Sequence, residues 1–145
     1  MSDAFSAQNS FLSIGDSASP NTFTEIAEVT SIGGPTQTSE KIDVTHLRST
    51  SGYREYLPSF KDGGEVACVA NYIPSDASHA SGINGIRGLY ISGAIRGFKK
   101  TFSDGTEEFF DAYVSAMNTP LSVGTQAQLN FTLTVTGAVT ADEAP

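Results

Sequence analysis

Positive charge is scarce in this chain: its 145 residues carry 8 Lys and Arg against 16 Asp and Glu, a formal net charge of −8. Sequence-specific DNA binding rests on Lys and Arg replacing phosphate counterions, so this balance argues against it. Cysteine is scarcer still. Cys68 stands alone, which rules out a disulfide framework within the chain and a thiolate metal cluster, and leaves a small buried apolar residue as its expected role. The only two histidines, His46 and His79, sit neither in H-E-x-x-H nor at i, i+4 with another ligand, so no zinc site is expected. No G-x-S-x-G elbow accompanies the many serines, and the glycines of G-I-N-G-I-R-G at residues 82–88 fit neither G-x-G-x-x-G nor the Walker spacing. Glu107 and Glu108 are adjacent on an expected strand, face opposite sides, and form no two-carboxylate site by themselves. No catalytic, cofactor-binding or metal-ligating residue is assigned, and the chain is expected not to be an enzyme. Long apolar runs are also missing. The longest fall far short of the roughly 20 residues that cross a bilayer, and MSDAFSAQNS has no basic start followed by an apolar stretch, so neither membrane insertion nor secretion is expected.

The length suits one domain with a sizeable core. Residues 1–21 are rich in Ser, Ala and Asn with a scatter of apolar side chains, and read as an arm that docks on something else. TFTEIAEVTSI, Thr22 to Ile32, is β-branched and ends in Gly33-Gly34-Pro35, a strand followed by a turn. SEKIDVTHL, Ser39 to Leu47, is a second strand, and residues 48–64 are a long loop carrying Tyr53, Tyr56, Leu57 and Phe60. EVACVANYI, Glu65 to Ile73, has apolar residues on both faces and reads as a central strand. Pro74-Ser75-Asp76 opens the one helical candidate, from Ala77 to about Tyr90, weakened by Gly82, Gly85 and Gly88. AIRGFKKTF and EEFFDAYVSAM flank Asp104-Gly105, a strong hairpin signal. In QAQLNFTLTVTG, Ala127, Leu129, Phe131, Leu133 and Val135 point one way and Gln, Asn and Thr the other. The whole reads as a mainly β chain, a β-sandwich or barrel with one short flanking α-helix, divided into an arm (1–21), a β-domain (22–138) and a flexible tail (139–145).

Charge is also unevenly distributed. Every basic residue lies between Lys41 and Lys100, while the flanking stretches carry only acids, a division that lets copies of one chain meet through surfaces of opposite sign. Arg96, Lys99 and Lys100, interleaved with Phe98 and Phe102, are therefore candidates for a subunit contact. Tyr53, Arg54, Tyr56, Leu57 and Phe60 are a second set, because aromatic residues concentrate at interface centres. The competing assignment is a monomeric β-sandwich adhesion or binding module for protein or carbohydrate, with the loop aromatics forming a concave patch.

The block from Phe23 to Tyr72, with AEVTSI-GGP, IDVTHL, GYREYLP and KDGGEV, resembles the major tail tube proteins of long-tailed, lambda-like siphovirus bacteriophages. P-x-D-A-x-H at Pro74 to His79, FDAYVSAM at Phe110 to Met117 and LTVTG at Leu133 to Gly137 extend the resemblance across nearly the whole chain. It implies a structural virion protein in the tail, assembled in the host cytoplasm, whose hexameric rings stack into a tube that conducts genome DNA. It further implies that the arm and the loop at roughly 47–62 are long inter-subunit elements reaching neighbouring subunits and rings. Tape measure, tail terminator and tail tip proteins are the implied partners, with transient, non-specific passage of DNA, no cofactor and no membrane. With the acidic surplus and the uncharged face of the last strand, it leads to a lumen of acidic and neutral polar side chains over which phosphates slide.

Overall fold

Alternation of apolar and polar side chains organises the computed structural model, which describes residues 4–16, 22–49 and 51–142. In chain order the described elements are Phe11–Gly15 (β1), Phe23–Glu25 (β2), Val29–Gly33 (β3), Thr38–Asp43 (β4), Tyr56–Asp62 (β5), Glu65–Asn71 (β6), Ile86–Ser92 (α1), Arg96–Thr101 (β7), Glu107–Asn118 (β8) and Gln128–Asp142 (β9). Seven of the strands form one sheet in the order β2-β1-β7-β8-β9-β6-β3, while β4 and β5 make a separate two-stranded ribbon. All the pairings are antiparallel.

The strand order forces the sheet to roll. β2 and β3 occupy its opposite edges, which in a flat sheet would lie about 29 Å apart at about 4.8 Å per strand spacing. Only residues 26–28 join them, and so short a connection spans at most about 14 Å. The two edges must therefore approach each other at a seam, wrapping one face of the sheet inward. That face is the core: Leu12 and Ile14 of β1, Val66, Cys68 and Ala70 of β6, Phe98 of β7, Phe110, Ala112 and Val114 of β8, and Leu129, Phe131, Leu133 and Val135 of β9 are all buried. Ile26 seals the seam, and Ile86 and Leu89 of α1 are buried with it.

A polar clamp holds the seam shut. The Ala27 amide donates to Ser78 Oγ at 3.0 Å, and the Ala27 carbonyl lies 2.8 Å from His79 Nε2. His79 Nδ1 accepts the Ile73 amide at 3.0 Å, so the network assigns the imidazole hydrogen to Nε2, which donates to Ala27. The His79 side chain is fully buried and Ser78 nearly so. Asp76 Oδ1 in turn accepts the Ser78 hydroxyl at 2.7 Å and the Ser78 amide at 2.9 Å, and these bonds hold its carboxyl below the usual carboxylate range.

Several sequence expectations are corrected. Residues 11–15, placed in the arm, form a strand with four of its five residues buried, because Leu12 and Ile14 alternate on one face; residues 1–3 and 17–21 lie outside the described residues. The single strand expected over 22–32 breaks into β2 and β3, where the chain crosses the seam and Glu28 adopts φ +51°. Leu57 and Phe60, placed in a long loop, lie on β5, which pairs with β4. β6 is second from an edge rather than central, and its Glu65 and Ala67 are exposed. β9 runs past Gly137 to Asp142 and pairs with Glu107–Phe109 of β8, so residues 138–142 of the expected tail are strand, while residues 143–145 lie outside the described residues. The helix is limited to Ile86–Ser92 because residues 77–82 pack against it as turns. A Cβ on Gly88 would strike the carbonyl oxygens of Gly82 and Ser81, and one on Gly85 those of Ala80 and Ala77. The hairpin at Asp104-Gly105 closes as expected, with Phe102 N–H donating to Thr106 O at 2.8 Å and Gly105 at φ +95°.

Candidate assembly surface

The β4–β5 ribbon exposes apolar side chains on both of its faces. Ile42 stands opposite Leu57, and Lys41 opposite Pro58. By alternation Leu57, Ser59 and Lys61 share one face with Ile42, while Tyr56, Pro58 and Phe60 occupy the other. Ile42 is 50% exposed, Leu57 53% and Phe60 83%, and Tyr53 and Leu47 at the tip are also exposed. A lone two-stranded hairpin is marginal in water at best, and this one gains little from its own chain. Its tip is braced by polar contacts: Arg54 Nη1 lies 2.8 Å from Asp43 Oδ2, Ser49 Oγ donates to Glu55 Oε2 at 2.6 Å, and the Glu55 amide donates to Thr45 Oγ1 at 2.8 Å. Hydrogen bonding from Thr45, reinforced by Arg54, holds the Asp43 carboxyl below its ordinary value. Lys41 Nζ sits 4.1 Å from the centre of the Tyr56 ring. Tyr53, Arg54, Tyr56, Leu57 and Phe60 are thus brought together on one projecting element.

Arg96, Lys99 and Lys100 are placed differently. Lys99 and Lys100 form ion pairs with Glu107 at 3.1 Å and Glu108 at 3.2 Å on the neighbouring strand. Lys100 also donates to the Gly34 carbonyl at 2.7 Å, and its side chain is only 14% exposed. Arg96 reaches Asn84 Oδ1 at 3.2 Å. All three cations are engaged within their own chain, because antiparallel pairing of β7 with β8 sets the basic strand beside the acidic one. They form no continuous surface with the ribbon.

A third surface is the outward face of the sheet. On β9, Gln128, Asn130, Thr132, Thr134 and Thr136 turn away from the core, and the pairing places Glu65 opposite Thr134 and Asp111 opposite Thr136. Ala67 and Val69 of β6 and Tyr113 of β8 complete a smooth patch without Lys or Arg.

Among the described residues, no group of three or more His, Cys, Asp and Glu is arranged to hold a metal ion. His46 and Glu55 are exposed and 3.8 Å apart, His79 is occupied by the seam clamp, and burial pushes the Cys68 thiol up to about 12. No described helix is long and apolar enough to cross a membrane. Sequence reasoning missed Lys41, Ile42 and Lys61 as members of the exposed ribbon. The available signal was the pairing of two strand-like runs, TSEKID and YLPSFKD, around an intervening turn-rich stretch.

A family model described as lambda phage tail tube protein, TTP, matches residues 8–142. Among curated proteins nothing matches. Of the solved structures, the tail of an empty gene transfer agent particle, refined with helical methods and C6 symmetry, superposes with a TM-score of 0.78 at 17% identity, covering 97% of this chain and 100% of that one. The SPP1 tail tube, solved by solid-state NMR and cryo-EM, gives 0.72 at 14% identity over 98% and 81% of the two chains. The sheath/tube terminator of an extracellular contractile injection system in its extended state gives 0.72 at 11% identity over 99% of each. At such identities the likeness establishes the fold.

Proposed function

The chain belongs to the lambda phage tail tube protein family, a structural component of the virion tail, and from that membership we propose how its surfaces serve a tube. Six copies close into a ring, and rings stack into a hollow conduit for genome DNA. The exposed ribbon β4–β5, with Tyr53, Arg54, Tyr56, Leu57 and Phe60, is the main element reaching neighbouring copies, because its two apolar faces stay wet in the monomer. Ring closure also covers the strand edges that a lone rolled sheet leaves open. The polar, cation-free patch over β6, β8 and β9 faces the lumen, where Glu65 and Asp111 repel phosphate and the amides and hydroxyls hold it only through water. The domain performs no chemistry. Its other partners are the tape measure, terminator and tip proteins of the tail, and assembly takes place in the host cytoplasm.

The observation that carries this reading is the ribbon, a two-faced apolar projection without a partner in its own chain. Negative-stain electron microscopy of the purified protein at high concentration tests it. Rings with six-fold symmetry or hollow tubes are the expected result. Small uniform particles that fail to grow when tail partners are added would instead favour a monomeric binding module.

A further inference from the structure

The rolled sheet leaves a groove along its seam. β3 pairs only with β6, and beyond its free side a cavity of about 660 Å³ opens between β3 and residues 5–10, walled by Phe5, Val29, Ile32 and Phe102. A second cavity of about 360 Å³ shares Val29 with the first and carries Glu25 and Glu28. The groove is therefore apolar along its floor and acidic at one end.

One element of this same chain has the complementary character. Residues 38–62 hold four cations, Lys41, Arg48, Arg54 and Lys61, and four acids, Glu40, Asp43, Glu55 and Asp62, so the ribbon is formally neutral while the rest of the chain carries the whole −8. Among the described residues, Lys99 and Lys100 pair with carboxylates, Arg54 pairs with Asp43, Arg96 is held by Asn84, and Arg87 donates to the Tyr72 hydroxyl. The cations with no carboxylate within ion-pair distance and no hydrogen-bond acceptor are Lys41, Arg48 and Lys61, all on the ribbon. Beside them stand the exposed Leu57 and Phe60. In its own chain the ribbon lies next to β9, away from the seam.

We propose that the β4–β5 ribbon of one copy docks in the seam groove of another copy, its aromatic face against Phe5, Val29, Ile32 and Phe102 and its free cations toward Glu25 and Glu28. The contact is heterologous: each copy donates a ribbon and offers a groove, so it propagates from copy to copy rather than closing on a pair. It supplies the acceptor surface for the projecting ribbon and rests on the tube reading above.

Thiol cross-linking tests it. Phe60→Cys on the ribbon and Thr30→Cys at the groove are both exposed positions, and the buried Cys68, its thiol raised to about 12, does not compete for a bismaleimide at neutral pH. Mixing the two single variants is expected to give a covalent dimer that neither gives alone, and the double variant a ladder of multimers. Separately, Glu25→Lys should raise the assembly threshold severalfold without changing the monomer's melting temperature. Tubes that form normally with no 60-to-30 cross-link would overturn the docking and leave the tube reading standing. Absence of both tubes and cross-links would overturn both.

Discussion

Replacing His79 by alanine is the sharpest probe of how this sheet is kept rolled. The imidazole bonds two main-chain groups, accepting from Ile73 and donating to Ala27, and is itself fully buried. Its removal leaves both groups without a partner at about 1–2 kcal/mol each and adds the cost of the void. A loss of about 3 kcal/mol follows, large against the 5–15 kcal/mol that holds a typical domain together. For a chain of this length it corresponds to a fall of roughly 10 °C in melting temperature. Urea denaturation of dilute monomer, followed by circular dichroism, reads the change directly. His46→Ala is the control: that ring is exposed, and its loss should cost under about 0.5 kcal/mol. If His79→Ala cost less than about 1 kcal/mol, or matched the His46 variant, the clamp would not be what closes the seam.

Other contrasts follow from local geometry. Lys100→Met strands the largely buried Glu108 carboxylate and the Gly34 carbonyl, and should cost about 3 kcal/mol by denaturant titration, whereas Lys99→Met, at a more open pair, should cost about 1 kcal/mol or less. Gly88→Ala drives a methyl into the Gly82 and Ser81 carbonyls and should cost about 2 kcal/mol, while Gly82→Ala meets open space and should be neutral within about 0.5 kcal/mol. The carboxyls of Asp43, Asp76 and Asp104 are all lowered, chiefly by hydrogen bonds from Thr45, Ser78 and Thr106 respectively. Because their folded values lie below the unfolded value of about 3.9, their contribution is fully present above that pH and is lost as pH falls through the lowered folded values. Melting temperature should therefore drop on acidification below about pH 4, and Asp76→Asn should make that drop shallower; an unchanged acid limb would refute the Asp76 contribution.

Much of this was legible in the sequence wherever a pattern was local. Leu129 to Val135 alternate strictly, so their inward face needed no partner to be identified, and Asp104-Gly105 announced its hairpin because a tight turn depends on its own residues. The acid surplus and the lone Cys68 likewise excluded whole classes of chemistry from composition alone. What tertiary structure decided was non-local. Leu12 and Ile14 look like stray apolar residues in a polar segment until β7 pairs beside them. Leu57 and Phe60 have no strand to belong to until β4 lies opposite. Lys99 and Lys100 appear free until β8 brings Glu107 and Glu108 within ion-pair distance. His79 shows no role until the chain crosses the seam at Ala27, a contact 52 residues apart in sequence. Periodicity is a property of neighbouring residues and so is written in the chain; pairing partners, and with them which charges are spent and which apolar side chains stay exposed, exist only once the sheet has rolled.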